Sequence, residues 1–321
     1  MTLSYKAEQV TIGMAQIAPV WLKRDQTLEK VLAYANDAAQ AGCNLVVFGE
    51  GVLPGYPFWL DLTHGAEFNS PRQKELHAHY LANAVQIEAG HLDTLCALAR
   101  DNQMAVYLGC IERPEDRGGH SVYASLVYID QHGRIQSVHR KLRPTYEERL
   151  AWSPGDGNGL RTHKLGAFTV GGLNCWENWM PLARAALYGM GEDLHIAVWP
   201  GNLRNTQDIT RFIAFEARSY VVSVSGLMRS TDIPADTPYY AEIAANAPEM
   251  MADGGSCLAG PDGAWLMEPV VGKEGLFVKT IEYNPVREER QNLDPAGHYS
   301  RPDVLQLSIN RQRQSTIHVV E

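Results

Sequence analysis

The feature that most constrains this chain is an apolar run that ends beside a cysteine and is followed by a helical pattern. Residues 168–173 are typical of a β-strand, Cys175 follows closely, and Pro181 suits the first turn of a helix. Cys175 is therefore predicted at a strand-to-helix corner. Ligands of α/β sheets bind beyond the carboxyl ends of strands, and N–H groups at a helix start lower a thiol pKa. The position suits a nucleophile, although a lone cysteine is also a common apolar core residue.

Strand and helix patterns alternate along the rest of the chain. An amphipathic helix is predicted from Asp25, as N-cap, to Gly42, and the wholly apolar run at residues 45–48 is typical of a buried strand that ends just before Glu50. Other strands are predicted at residues 10–16, 104–111, 123–129, 135–139, 195–199 and 221–227, and other helices near residues 72–84, 88–101, 183–188 and 208–219.

No Gly/Ser linker or break in composition interrupts this alternation. We therefore predict one large α/β domain, built from two similar layered halves, at residues 1–283. A C-terminal tail is predicted at residues 284–321.

Charge and cysteine usage exclude several classes of partner. The chain has 28 Lys and Arg against 37 Asp and Glu, a formal net charge of −9, and no basic block, so nucleic acid and membranes are not expected partners. Residues 1–16 lack a signal-peptide pattern, and no run approaches ~18 apolar residues. The five cysteines are widely spaced without a Cys-x-x-Cys pair, which argues against a disulfide framework or a zinc site. We expect a cytoplasmic protein with reduced thiols.

Three ordered segments carry chemistry: FGEGVLPGYP at residues 48–57, HRKLRPTYEER at residues 139–149 and CWENWMPL at residues 175–182. Together they resemble the glutamate, lysine and cysteine segments of the nitrilase branch of the carbon-nitrogen hydrolase family. Trp176 favours that branch, since amidase branches more often have Tyr-Asp after the cysteine. Gly49 departs from the family pattern, which more often has proline there, but Glu50 stays in register.

The resemblance implies a fold, a site and an assembly. The fold is a four-layer α-β-β-α sandwich with the active site between two sheets. The catalytic residues are Glu50, Lys141 and Cys175, with Glu148 as a second glutamate. The implied reaction converts a small nitrile and water into a carboxylic acid and ammonia through a thioimidate and a thioester on the cysteine. A homodimer formed through outer helices, or a larger homo-oligomer, is expected, with the tail at residues 284–321 in the contacts.

Each of these charged residues also has a simpler explanation. Glu50 could be a solvated loop residue, Lys141 part of an exposed basic edge, and Glu148 a helix cap or a partner of Arg149. Their ordered occurrence with Cys175 favours catalysis. The same residues would also serve an aliphatic amidase, an N-carbamoyl hydrolase or a nitrile or cyanide hydratase, and a non-catalytic scaffold of the same fold is a further alternative.

Substrate contacts are predicted at residues in or near the three segments and one later turn: Trp176, Tyr56, Pro57, His139, Trp199 and Asn202. Their apolar and aromatic character favours a moderately apolar nitrile. Trp199 could instead pack the sheet ends, His139 could be structural, and Asn202 could form a turn. We expect no metal and no organic cofactor, because neither His77 and His79 nor the glycines at residues 155–159 complete a known metal or nucleotide motif.

Overall fold

Two β-sheets lie face to face at the centre of the computed structural model, which describes residues 8–317 and residue 320. The first sheet contains β1 (Gln9–Gln16), β2 (Leu45–Phe48), β3 (Ala105–Glu112), β4 (Tyr123–Ile129), β5 (Ile135–Arg140) and β13 (Gly275–Glu282), in the order β13-β1-β2-β3-β4-β5. The second contains β6 (His163–Leu165), β7 (Phe168–Asn174), β8 (Leu194–Trp199), β9 (Tyr220–Ser225), β10 (Leu227–Arg229), β11 (Met250–Ala259) and β12 (Trp265–Val271). Its order is β10-β11-β9-β8-β7-β6, with β12 paired to β11.

Eight α-helices and several 3-10 turns connect these strands in the described part of the chain. The helices are α1 (Arg24–Gln40), α2 (Trp59–Leu62), α3 (Pro71–Asn83), α4 (Asp93–Asp101), α5 (Pro181–Gly189), α6 (Leu203–Ala217), α7 (Tyr240–Asn246) and α8 (Asn284–Arg290). None of these helices combines the length and the apolar character needed to cross a bilayer. Residues 1–7 of the N-terminal stretch, and residues 318, 319 and 321 of the predicted tail, lie outside the described residues.

The helices cover the outer faces of both sheets. Val31 and Ala35 of α1 and Leu95 of α4 pack on the first sheet, while Ile209 and Ile213 of α6 pack on the second. A separate core fills the space between the sheets and joins residues of β1, β2 and β4 to residues of β7, β8 and β9. The predicted four-layer α-β-β-α sandwich is therefore confirmed.

Burial on both faces explains why β2 is apolar throughout. Leu45 and Val47 face the core between the sheets, and Val46 and Phe48 face the helices. Parallel strands that are covered on both sides show such continuous apolar runs instead of an alternating pattern.

The structure moves several predicted boundaries. Helix α1 begins at Arg24 with Lys23 as N-cap, so Asp25 lies inside the first turn. Its carboxylate there interacts favourably with the helix dipole. Helix α6 begins earlier than predicted, because the Asn202 side chain caps it by accepting a bond from the Arg204 N–H at 3.1 Å. The strand predicted at residues 221–227 is divided at Gly226 into β9 and β10.

Backbone contacts join the two sheets next to Glu50. A Cβ atom at Gly49 would lie 2.8 Å from the Gly226 nitrogen and 2.9 Å from the Trp199 carbonyl oxygen. The same Trp199 oxygen accepts bonds from the Glu50 and Gly226 N–H groups, both at 3.1 Å. Glycine at position 49 therefore allows the end of β2 to approach the ends of β8 and β9 directly.

We predict that Gly49→Ala destabilises the fold by about 1–3 kcal/mol, because the added methyl group must push apart backbone atoms that have no room to rotate away. Gly189→Ala in α5 is the matched control, since nothing lies within 4 Å of its Cβ position. Chemical denaturation of both variants checks this. Equal stability of the two variants would contradict the close contact at Gly49.

Candidate active site

Glu50, Lys141 and Cys175 come together at one edge of the paired sheets. Glu50 follows β2 by two residues, while Lys141 and Cys175 directly follow β5 and β7. The strands of the first sheet pair so that β2 and β5 run in the same direction, which brings their carboxyl ends to the same edge. The Lys141 Nζ atom lies 2.9 Å from Glu50 Oε1 and 2.7 Å from Glu148 Oε2. The Cys175 Sγ atom and a carboxylate oxygen of each glutamate lie within 4.8 Å of one another.

Burial and the charge of Lys141 act in opposite directions on the pKa values of Glu50 and Cys175. Burial raises the pKa of Glu50 to about 8, with Lys141 opposing the shift. Burial also raises the pKa of the Cys175 thiol well above its ordinary range, against the opposing effects of Lys141 and the Trp176 N–H. For Lys141, burial lowers the pKa, but the charges of Cys175, Glu50 and Glu148 outweigh it and raise the pKa. Lys141 is thus a fixed ammonium beside two groups that burial shifts toward their protonated forms.

A thiol and two carboxylates at this spacing also form a donor set of the kind that binds metals. Here the Lys141 ammonium forms ion pairs with both carboxylates and repels a divalent cation. The arrangement therefore suits proton transfer better than metal binding. The expectation of no metal and no organic cofactor stays a prediction.

Glu148 connects Lys141 to the turn that follows it. Its Oε2 atom accepts bonds from Lys141 Nζ and from the Thr145 N–H at 2.6 Å, the latter as part of a capping box on the 3-10 turn Tyr146–Leu150. Its Oε1 atom accepts a bond from the Tyr56 hydroxyl at 3.0 Å. The indole ring of Trp152 lies 5.3 Å from Lys141 Nζ and closes another side of the ammonium. Each donor to Glu148 thus helps to fix the lysine.

Cys175 occupies a strained corner at the start of the 3-10 turn Cys175–Trp179. Its φ of +49° is unusual for a residue with a side chain, and such geometry costs about 1–3 kcal/mol unless its surroundings hold it. Asn178 Nδ2 donates to the Cys175 carbonyl at 2.8 Å, and Asn178 Oδ1 lies 2.7 Å from His195 Nε2. The other ring nitrogen of His195 lies 3.0 Å from the Glu192 carboxylate. A buried chain of polar contacts from Asn178 through His195 to Glu192 therefore supports the corner.

A cavity of about 480 Å³ opens onto Cys175 and Glu148. Most of its wall is apolar or aromatic and is formed by Tyr56, Phe58, Leu62, Tyr146, Trp176, Pro200, Pro248 and Met251. Its polar lining includes Asp61, Thr145, Glu147, Asn202, Arg204 and Asn205. Glu50 and Lys141 are absent from the described lining and are buried in contact with each other next to Cys175.

The structure separates the predicted substrate contacts into two groups. Trp176, Tyr56 and Asn202 line the cavity. Pro57, His139 and Trp199 do not belong to the described lining and are buried elsewhere.

The buried side chains have structural partners. Side chains alternate along β8, and that of Trp199 faces α6. Its indole N–H donates to Ser223 Oγ of β9 at 3.2 Å. His139 Nε2 lies 3.0 Å from the Glu177 carboxylate. The structure thus favours the structural alternatives for Trp199 and His139.

Sequence reasoning missed two kinds of residue. Glu177 was readable as the last member of an Asn-x-x-Glu capping box that starts at Asn174, and the structure shows this box. Pro248, between α7 and β11, and Met251, the second residue of β11, also line the cavity, and no local sequence signal marks them as site residues.

With this geometry in place, similarity to known proteins identifies the family. Residues 11–291 match the carbon-nitrogen hydrolase family. The chain belongs to that family. It is 35% identical, over 96% of its length and 95% of the relative's, to Nitrilase 2 from an unknown prokaryotic organism. An aliphatic nitrilase from Rhodococcus rhodochrous is 31% identical over 97% of this chain and 82% of its own.

These likenesses place the hydrolase in the nitrilase branch, as the three sequence segments predicted. Among solved structures, the fold is similar to that of a carbon-nitrogen hydrolase from Helicobacter pylori G27, with a TM-score of 0.69 and 20% identity. The match covers 92% of this chain and 96% of that one. The structural likeness agrees with the expected layered fold. The family match and the relatives named as nitrilases show that the protein is a hydrolase acting on carbon–nitrogen bonds.

The raised pKa of Glu50 predicts a pH-dependent stability. Its pKa rises from 4.5 to about 8 on folding, so the stability it contributes is present below pH 4.5 and is lost as pH rises toward 8. Glu50→Gln removes this titration. Relative to the wild type, we expect the variant to gain stability between pH 5 and pH 8, by a few kcal/mol in order of magnitude.

Denaturant titrations across this pH range provide the test, with Asp130→Asn as the matched control. Hydrogen bonds, among them one from the Arg134 N–H, outweigh burial and lower the pKa of Asp130, so its contribution is lost only in acid. The difference between Asp130→Asn and the wild type is therefore expected to stay constant over the same range. If the difference in stability between Glu50→Gln and the wild type is also constant, the pKa of Glu50 is not raised.

Proposed function

We propose that this carbon-nitrogen hydrolase is a nitrilase, which converts an organic nitrile into the carboxylic acid and ammonia. The observation that carries the proposal is a buried Glu50–Lys141–Cys175 cluster whose thiol opens onto an apolar cavity. Relatives named as nitrilases, alike over nearly the whole chain, support nitriles as the substrate class.

In the first half of the proposed reaction, Glu50 accepts the proton of the Cys175 thiol. The thiolate adds to the nitrile carbon, Glu50 returns the proton to the nitrile nitrogen, and a thioimidate forms. Lys141 and the Trp176 N–H, which both act to lower the thiol pKa, stabilise the charge that develops on the nitrogen. Burial strengthens these interactions because little water is present to screen them.

In the second half, water completes two hydrolytic steps. Glu50 takes a proton from the first water as it adds to the thioimidate carbon, and protonated nitrogen leaves as ammonia to give a thioester. A second water releases the carboxylic acid and restores the thiol, so two waters are consumed for each nitrile. Glu148 holds Lys141 and orients these transfers through its bonds to Nζ and to the Tyr56 hydroxyl.

The shape and lining of the cavity favour nitriles with an apolar or aromatic group. Tyr56, Phe58, Trp176 and Met251 provide flat or flexible apolar surfaces around the thiol. A volume of about 480 Å³ accommodates a small aromatic substrate.

The direct test measures ammonia, acid and amide from purified protein with arylaceto-, aromatic and aliphatic nitriles beside the matching amides. We expect acid and ammonia from nitriles and little from amides. Cys175→Ala is expected to abolish turnover, whereas Cys96→Ala, a thiol on α4, should retain it.

Other outcomes would assign the protein a different activity or none. Turnover of amides alone would make the protein an amidase or a carbamoyl hydrolase, and amide without ammonia a hydratase. Turnover that persists in Cys175→Ala would remove this thiol from the nucleophile role. An inert protein whose Cys175 resists iodoacetamide would be a scaffold.

We also propose that a second copy of the chain packs on the outer helices. Trp179, Phe212 and Phe215, here called the outer patch, form an exposed apolar hollow beside α6. Large exposed aromatic clusters mark interaction surfaces, and the family resemblance implies self-association through these helices.

The tail contributes a second part of this assembly proposal. Its segment at residues 309–314 binds its own chain, where Arg313 forms an ion pair with Asp156 at 3.0 Å and Asn158 Nδ2 donates to the Arg311 carbonyl at 3.0 Å. Leu305 and Leu307, just before this segment, remain exposed and are proposed to take part in assembly. The boundary at residue 283 and the cytoplasmic location stay predictions.

We predict that Phe212→Glu lowers the mass of the particle, because it places a charge in the outer patch. Phe68→Glu is the matched control, since Phe68 is 98% exposed and lies in a separate loop. Light scattering during size-exclusion chromatography gives the mass. A monomeric wild type, or an unchanged mass for Phe212→Glu, would contradict the proposal.

A further inference from the structure

One buried carboxylate, that of Glu177, connects the segments that carry Lys141 and Cys175. Its Oε2 atom accepts a bond at 2.9 Å from the N–H of Asn174, the residue before Cys175. Its Oε1 atom accepts a bond at 2.6 Å from the N–H of Leu142, the residue after Lys141. His139 Nε2, two residues before Lys141, lies 3.0 Å from Oε2. The Glu177 carboxylate therefore bridges the two segments, because each segment has a hydrogen-bond donor to it close to a proposed catalytic residue.

The bridge crosses from one sheet to the other. Lys141 follows β5 at the edge of the first sheet, and Cys175 follows β7 in the second. No ladder of backbone hydrogen bonds joins β5 to β7 among the described strands, so packed side chains set their separation. Glu177 adds a direct polar connection between the ends of β5 and β7. The separation of these two ends determines the distance between the Lys141 ammonium and the Cys175 thiol.

Ionisation of Glu177 is part of this connection. Burial raises its pKa, but His139 and the Leu142 and Asn174 N–H groups outweigh burial, and the pKa is lowered overall. All three partners are donors, and a carboxylate offers two acceptor oxygens to them. A glutamine would turn an NH₂ group toward one of these donors and break one side of the bridge.

We propose that Glu177 is a positioning residue, which sets the distance between Lys141 and Cys175 across the two sheets. Glu177 does not belong to the described lining of the cavity, so it acts through the two residues that it spaces. The inference rests on the proposed function for its reference to nitrile turnover. Its effect on the Cys175 thiol is measurable without any substrate.

The experiment compares Glu177→Gln with Asp193→Asn as the matched control. Asp193 is also a buried carboxylate that accepts a backbone bond, from the Thr169 N–H at 2.6 Å, but it lies at the opposite ends of β7 and β8. The probe is iodoacetamide, with alkylation of the Cys175 peptide followed by mass spectrometry as a function of pH. Thermal unfolding and nitrile kinetics of the same samples complete the comparison.

We expect Glu177→Gln to slow Cys175 alkylation and kcat by about 10- to 100-fold at neutral pH, with KM little changed. Its alkylation profile should shift to higher pH, because the displaced Lys141 lowers the thiol pKa less. Asp193→Asn should keep the wild-type alkylation rate and pH profile.

A folded Glu177→Gln variant with the wild-type alkylation profile would overturn the proposal, and so would equal slowing in Asp193→Asn. If Glu177→Gln does not fold, Glu177→Asp decides, since its carboxylate is one methylene too short to span both segments. Wild-type alkylation in folded Glu177→Asp would equally overturn it. A wild type that turns over no nitrile, with slowed alkylation in Glu177→Gln, would refute only the nitrilase assignment, while an inert wild-type Cys175 would refute both.

Discussion

The fully buried ammonium of Lys141 is the constraint on which the rest of the site depends. A charge without contact to water requires compensating partners, and Glu50 and Glu148 provide them at 2.9 and 2.7 Å. Satisfying the lysine in turn fixes both carboxylates. Burial then raises the pKa values of Glu50 and Cys175, while the charge of Lys141 opposes both shifts and favours the thiolate. One desolvated charge therefore organises the other three groups.

Two short turns hold this cluster in place, and each does so through a glutamate that closes a capping box. In the turn Tyr146–Leu150, Glu148 closes a capping box with Thr145 and also accepts from Lys141. In the turn Cys175–Trp179, Glu177 closes a capping box with Asn174 and also accepts from Leu142. Each glutamate thus stabilises its own turn and reaches the lysine segment, which couples local backbone geometry to the arrangement proposed for catalysis.

Much of this fold could be predicted from short stretches of sequence, because the pattern of apolar residues and the turn and cap residues determine local structure. The apolar run at residues 45–48 indicated a strand covered on both faces, and the pattern around Cys175 and Pro181 indicated the strand-to-helix corner. Other features depend on contacts between distant segments. The sequence could not show that Gly49 meets Gly226, that Trp199 faces α6, or that Met251 reaches the cavity, since each depends on how the sheets pack. His139 sits beside the lysine in sequence, yet its side chain turns to Glu177.

In the proposed mechanism the Cys175 sulfur forms a covalent bond with the substrate carbon. Rapid quenching of the enzyme with an arylacetonitrile, followed by peptide mass spectrometry, tests this most directly. We expect a transient adduct on the peptide that contains Cys175, with the mass of the intact nitrile or of the derived acyl group. Continued release of acid and ammonia with no adduct at any time, or with adducts only on Cys43, Cys96, Cys110 or Cys257, would contradict it.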